Sequence, residues 1–146
     1  MFLDLRDILR KGKEQENFFF EYTITEDLVS IPSAEIENPV RVSGNITLND
    51  RHSAYITGEV AFTLSGDCTR CLTKTSKTLI AEFDEFVTIN NEDGYSIVND
   101  RIDLSKIVTD VVVSNMPVQF LCSENCKGIC LGCGVNLNNG ECKCKN

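Results

Sequence analysis

The sequence predicts an α+β fold: a twisted antiparallel β-sheet or partly closed barrel, with one helix packed across it and a cysteine-rich C-terminal knuckle. Three observations carry this reading. Several stretches between residues 17 and 90 alternate apolar and polar side chains, the pattern of strands with one buried face. Residues 103–116 change to helical spacing. From Leu121 onward the chain is dominated by Cys, Gly and Asn.

The elements follow in order. Phe2, Leu5, Ile8 and Leu9 lie near helical spacing, so residues 2–11 predict a short helix or turn. Asn17 to Thr25 is aromatic and β-branched and predicts a strand. Leu28 to Asn38 reads as a connection broken by Pro32. Residues 40–48 alternate, with an expected slip at Ser43-Gly44. Asn49 to His52 is a turn, and residues 54–64 resume the alternation. These two segments make a long hairpin, with glycines where bulges often fall. Thr73 to Asn90 supplies the third antiparallel strand, Asn91 to Gly94 a turn, and Tyr95 to Val98 a short strand. Leu104, Ile107, Val108, Val111 and Val112 then form one helical stripe, with Asp103 as N-cap and Pro117 past the end. There is no internal repeat.

Composition narrows the function. The chain has 146 residues, 42% of them hydrophobic, enough for a packed core. No apolar run reaches the roughly 20 residues of a membrane helix, and Met1 to Gly12 does not read as a secretory signal. The formal charge of −8 opposes an unaided grip on nucleic-acid phosphates and fits a basic partner better. A single His, His52, removes schemes that need several imidazoles.

The excess lies in cysteine, with eight. They fall into four close pairs: Cys68/Cys71, Cys122/Cys126, Cys130/Cys133 and Cys142/Cys144. Such pairs deliver two thiolates from one tight turn, as tetrahedral sites require. Disulfide scaffolds belong to short secreted chains, and bridges between near neighbours are strained or redox-active. Iron–sulfur clusters also use four cysteines, so ligand type alone leaves them open. The expectation is two structural zinc ions, each held by four thiolates. Loading would make the chain more anionic, about −12, unless Arg70, Lys127, Lys143 and Lys145 screen the sites.

Three pairings of the pairs exist. Cys122, Cys126, Cys130 and Cys133 form the most local set. On a continuous helix Cys122 and Cys130 would stand about 12 Å apart, so that set needs a loop turned at Gly128. The preferred grouping places Cys130, Cys133, Cys142 and Cys144 in one compact site, with an Asn139-Gly140 turn inside it. Cys68 and Cys71 then close with Cys122 and Cys126. The Cys142/Cys144 pair needs a bent backbone, because alternate side chains of a strand point apart. This divides the chain into a core of residues 1–120 and a zinc-binding tail of residues 121–146 that closes a site with the 68–71 knuckle.

The motifs Cys68-Thr-Arg-Cys-Leu72, Pro117-Val118 and the tail LCSENCKGICLGCGVNLNNGECKCKN, with the opening Leu-Arg-Asp-Ile-Leu, together resemble the YceD family of large ribosomal RNA subunit accumulation proteins. The resemblance covers most of the chain. It implies a cytosolic, bacterial or plastid role in accumulation or processing of large-subunit (23S) ribosomal RNA. Other branches of the family keep the first cysteine pair and a metal-like residue near 122–126 but lack the last four cysteines, which agrees with the preferred grouping. Leu131 stands where similar tails often have Pro, and the knuckle spacing is preserved. The resemblance supplies no catalytic residue.

Other residues have two readings each. Arg70, between two ligands, either contacts a partner or RNA phosphate, or neutralises the metal thiolates. Asn136 and Asn138 cap the knuckle turn or meet a partner. His52 reads as a solvated turn residue, and Glu82, Asp84 and Glu85 as solvated strand residues. Asn45-Ile-Thr47 matches a glycosylation acceptor, without meaning in the inferred compartment.

The sequence therefore predicts a cytoplasmic, non-enzymatic ribosome-biogenesis factor with metal-binding cysteines. Its expected partner is a basic ribosomal protein or a pre-50S ribonucleoprotein, with weak or indirect RNA contact, no membrane and no small-molecule substrate. The alternatives are a zinc-dependent protein-interaction adaptor unrelated to ribosomes, and a thiol oxidoreductase using Cys68 and Cys71.

Overall fold

The computed structural model describes residues 1–142 except residue 93, and Cys144. Lys143 and Lys145, expected to screen the cysteines, lie outside the described residues. The elements are β1 (Phe2–Asp4), α1 (Leu5–Arg10), β2 (Gln15–Tyr22), β3 (Ala34–Leu48), β4 (Ser53–Asp67), β5 (Lys74–Ile89), β6 (Ser96–Val98), β7 (Arg101–Asp103) and α2 (Leu104–Ser114). The seven strands form one sheet in the order β1-β7-β6-β5-β4-β3-β2, curled into a half-barrel.

The predicted hairpin is the centre of the sheet. Strands β3, β4 and β5 are 15, 15 and 16 residues long and pair antiparallel along most of their length. Val42, Ile46, Ile56, Val60, Phe62 and Leu64 point inward and are almost fully buried. Helix α2 covers this concave face. Asp103 caps it by accepting from the Ser105 backbone N–H at 3.0 Å. Its stripe of Leu104, Ile107, Val108, Val111 and Val112 is buried, and it packs on β4, β5 and β1. Burying that stripe outweighs the weak helix propensity of its valines.

The structure corrects four details. Residues 34–38, read as connection, already belong to β3, with Ala34 buried opposite Gly66. Pro39 sits at a register shift between Glu37 and Arg41, where its missing N–H is tolerated. The expected slip at Ser43-Gly44 is absent: Gly44 faces Gly58 in unbroken register, as one more inward position. A Cβ at either glycine would strike the facing backbone and the rings of Phe18 or Phe83, so glycine here serves close packing rather than a bulge. Finally, β6 pairs parallel to β5, and the three-residue strands β1 and β7 pair with each other. Strands that short carry too little periodicity to read from sequence.

Beyond α2, Phe120 is 1% exposed, and its carbonyl accepts from the Thr69 N–H at 2.7 Å. The tail is thereby anchored at the end of β4. Among the described residues, no helix is long and apolar enough to cross a membrane.

Candidate metal centres

Two tight turns organise the cysteines, and both have the same backbone. In the first, the Cys68 N–H donates to the Thr73 carbonyl at 2.9 Å, and the Leu72 N–H to the Cys68 carbonyl at 3.0 Å. In the second, the Cys130 N–H donates to the Val135 carbonyl at 2.9 Å, and the Gly134 N–H to the Cys130 carbonyl at 2.8 Å. The residue after each second cysteine is left-handed: Leu72 has φ 62° and Gly134 has φ 75°. This turn aims both sulfurs of a C-x-x-C pair to one side.

The two turns gather different partners. Cys68, Cys71, Cys122 and Cys126 form one group, and Cys130, Cys133, Cys142 and Cys144 the other; within each, all sulfurs lie within 4.8 Å of one another. In the first group, Cys68 Sγ is 3.6 Å from Cys126 Sγ, and Cys71 Sγ is 3.5 Å from Cys122 Sγ. In the second, Cys130 Sγ is 3.0 Å from Cys142 Sγ and 3.8 Å from Cys144 Sγ. No disulfide joins any two of the eight cysteines. A covalent bridge needs sulfurs about 2.05 Å apart, whereas four sulfurs tetrahedrally around one zinc stand about 3.8 Å apart. The spacing therefore fits the metal reading far better than the disulfide reading.

Electrostatics point the same way. Burial opposes ionisation of Cys68, but the N–H groups of Cys71, Cys122 and Arg70 outweigh it and bring the thiol down to about 6. Cys122, crowded by the Cys71 and Cys126 thiols, is pushed up to about 12. The second group repeats this split. The Cys133 N–H, the Cys142 thiol and the Gly132 N–H bring Cys130 down to about 6, while the Cys142, Cys133 and Cys130 thiols push Cys144 up to about 12. In each quartet the backbone favours one thiolate, and the thiol beside it resists ionisation unless a cation stands among them.

The surroundings differ. Cys68, Cys71 and Cys126 are buried and pack with Leu121 and Ile129, whereas Cys133, Cys142 and Cys144 are exposed. Asn136 and Asn138 link the two groups. Asn138 donates to Cys126 Sγ at 3.3 Å and accepts from the Lys127 N–H at 2.9 Å, while Asn136 donates to Thr73 Oγ1 at 3.1 Å. Instead of capping the 130–133 turn, these side chains bond to Cys126, Lys127 and Thr73, tying the tail to the first knuckle. Arg70 donates to the Cys126 carbonyl at 3.1 Å, bracing the ligand backbone rather than a thiol. His52 is an exposed turn residue whose N–H donates to Asp50.

Sequence reasoning missed Thr73 and Phe120. Thr73 holds Cys71 through its hydroxyl and the Cys68 N–H through its carbonyl, and Phe120 anchors the tail. A threonine two positions past a cysteine pair carried a weak signal; a lone aromatic carried none.

The matched family description is "Large ribosomal RNA subunit accumulation protein YceD", over residues 56–146, from near the start of β4 through both cysteine groups. The chain belongs to the YceD family. Similar proteins include the chloroplastic large ribosomal RNA subunit accumulation protein YCED homolog 1 of Zea mays, 44% identical over 46 residues, or 31% of this chain and 16% of that protein. The protein of the same name in Arabidopsis thaliana is 44% identical over 44 residues, 30% of this chain and 14% of that protein. An uncharacterized protein of Mycobacterium bovis is 30% identical over 91 residues, 56% of this chain and 44% of that protein. The matched part spans less than half the length of each of these YceD-like or uncharacterized relatives. No solved structure matches the chain.

Proposed function

We propose that this chain is a non-catalytic factor that promotes accumulation or processing of large-subunit (23S) ribosomal RNA, with zinc as its scaffold. The description of the family and the names of the plant relatives support the ribosomal setting. The observation that carries the scaffold reading is the pair of sulfur quartets on two matching knuckles.

Cys68, Cys71, Cys122 and Cys126 would hold one zinc, and Cys130, Cys133, Cys142 and Cys144 the other. A zinc ion with four thiolates acts as a cross-link and has no open position for water or substrate. The first site fastens the end of β4 to the segment after α2. The second orders residues 121–146 as a tail on the core of residues 1–120. Arg70, exposed beside the first site, offers a cation to a partner while bracing Cys126. With its acidic balance, the chain engages a basic ribosomal protein or a pre-50S ribonucleoprotein in the cytoplasm, and touches RNA weakly or indirectly.

A thiol oxidoreductase is the weaker reading. Cys68 has the lowered thiol such an enzyme needs, but it is 0% exposed, and attack on a substrate disulfide requires access. Elemental analysis with thiol titration on fresh protein tests the scaffold: close to two zinc per chain and no reactive thiols are expected, and readily titrated thiols with no zinc would overturn it. Deletion tests the role: large-subunit RNA precursors should build up, and an unchanged precursor level would remove the assembly function.

A further inference from the structure

On the convex face of the sheet, the outward positions of β2–β5 are exposed or half-buried, with none buried among the described residues. Across it, residues stand in rows set by the register. One row runs Phe19, Ser43, Glu59, Glu82, from β2 to β5. The row on one side ends in Asp84. Beyond that comes the Tyr55–Phe86 pair, with ring centroids 5.0 Å apart. On the other side Ile80 stands opposite Ala61. Phe19 and Ile80 are 62% and 63% exposed, and Tyr55 and Phe86 are 47% and 45% exposed.

Two features here have no use within the chain. Like charges directly opposite one another weaken a sheet, yet Glu59 faces Glu82. Neither they nor Asp84 make an ion pair among the described residues. The shallow cleft of about 680 Å³ that the three acids share has no Lys or Arg in its lining, and its floor is the Gly44–Gly58 crossing. Arg41, the nearest outward base, stands opposite Glu21 in the Ile80 row. Large apolar side chains thus surround an uncompensated negative centre. A second copy of this face would be repelled, as would a nucleic-acid backbone.

We propose that this convex face of β2–β5 is a docking surface for an extended protein segment rich in Lys and Arg with apolar side chains between them. The basic groups meet Glu59, Glu82 and Asp84, and the apolar ones lie against Ile80, Phe19 and the Tyr55–Phe86 pair. The inference deepens the assembly-factor reading and rests on it only for the setting in which such a segment is met.

The test uses the full, zinc-loaded chain, isotope-labelled and titrated with a synthetic peptide of about 12 residues that alternates Lys or Arg with Val. Resonance shifts confined to the outward positions of β2–β5 are expected. The Glu59→Gln, Glu82→Gln, Asp84→Asn variant should bind about tenfold more weakly while melting at a higher temperature, because the facing charges are gone. Ile80→Ala should weaken binding without altering the salt dependence. Shifts elsewhere, unchanged affinity of the triple variant, or a mixed-sequence RNA oligonucleotide displacing the peptide would overturn the proposal. Co-sedimentation with large-subunit precursor particles separates the two readings. If wild type and triple variant sediment equally, the docking face is wrong and the assembly role stands. If wild type stays at the top of the gradient while the peptide arm succeeds, the face stands and the assembly role falls.

Discussion

The knuckle at residues 68–73 and the knuckle at residues 130–135 share their hydrogen bonds and their left-handed fifth residue, but stand in opposite environments. The first is set into the protein. Its sulfurs are mostly buried, its neighbour Thr69 is tied to Phe120, and its partners come from the far side of α2. The second is exposed and closes on residues a short way along the same tail. The same local chemistry therefore serves two purposes. In the core it joins distant segments, while at the surface it gives shape to a stretch with few apolar residues of its own. The left-handed position is filled by Leu72 in the first turn, where its side chain is 60% exposed, and by Gly134 in the second.

The largest expected contrast comes from single ligand changes. Cys68→Ser should lower stability by roughly 4 kcal/mol, since metal binding is coupled to folding and the site bridges the core. Cys142→Ser should cost less than about 1 kcal/mol of global stability and loosen only the tail. Denaturant unfolding of both variants measures this, and equal losses would erase the distinction between the sites.

The next contrast is in pH. In metal-free protein, Cys122 and Cys144 are pushed up to about 12, against 9.0 for a free thiol. A raised folded value means stability is present at low pH and is lost as pH climbs from about 9 toward 12. Cys68 and Cys130, lowered to about 6, act in the opposite sense, and their contribution is lost as pH falls from about 9 toward 6. With metal bound, all eight act as thiolates and every value is depressed, so the loaded protein loses stability only as pH falls. Melting temperature against pH, with and without chelator, should show alkaline loss in the metal-free form alone.

Smaller effects probe how the groups communicate. Asn138→Ala removes the bonds to Cys126 Sγ and the Lys127 N–H, and should cost about 1.5 kcal/mol. It should also speed metal release from the buried group more than from the exposed one, as followed with a chromogenic chelator. Gly134→Ala forces a Cβ into a left-handed turn with nothing within 4 Å of it, so strain alone acts, costing about 1 kcal/mol and confined to the tail.

Much of this was legible because it is local or periodic. The helix stripe from Leu104 to Val112, its Asp103 cap and the alternation of β4 follow from residue spacing, and so did the division of eight cysteines into two groups. What escaped the sequence depends on distant neighbours. Gly44 reads as a break in alternation until Gly58 and Phe18 are seen to face it. Strands β1 and β7 exist because they pair with each other, which no three-residue string announces. Thr73 closes its own turn on Cys68 and Cys71, but it receives Asn136 only when the tail folds back to it.

One consequence concerns the order in which the molecule is made. The sulfurs of Cys130 and Cys144 are 14 positions apart, whereas those of Cys68 and Cys126 are separated by 58. Closing the longer loop in a flexible chain costs about 1 kcal/mol more in entropy. A chain leaving the translation machinery has its first cysteine pair exposed well before the matching pair is synthesised. The hairpin and α2 must come together to bring that pair within reach, so a metal ion taken up by the buried group would report that folding is complete, whereas the terminal group could take one up as soon as its own residues emerge.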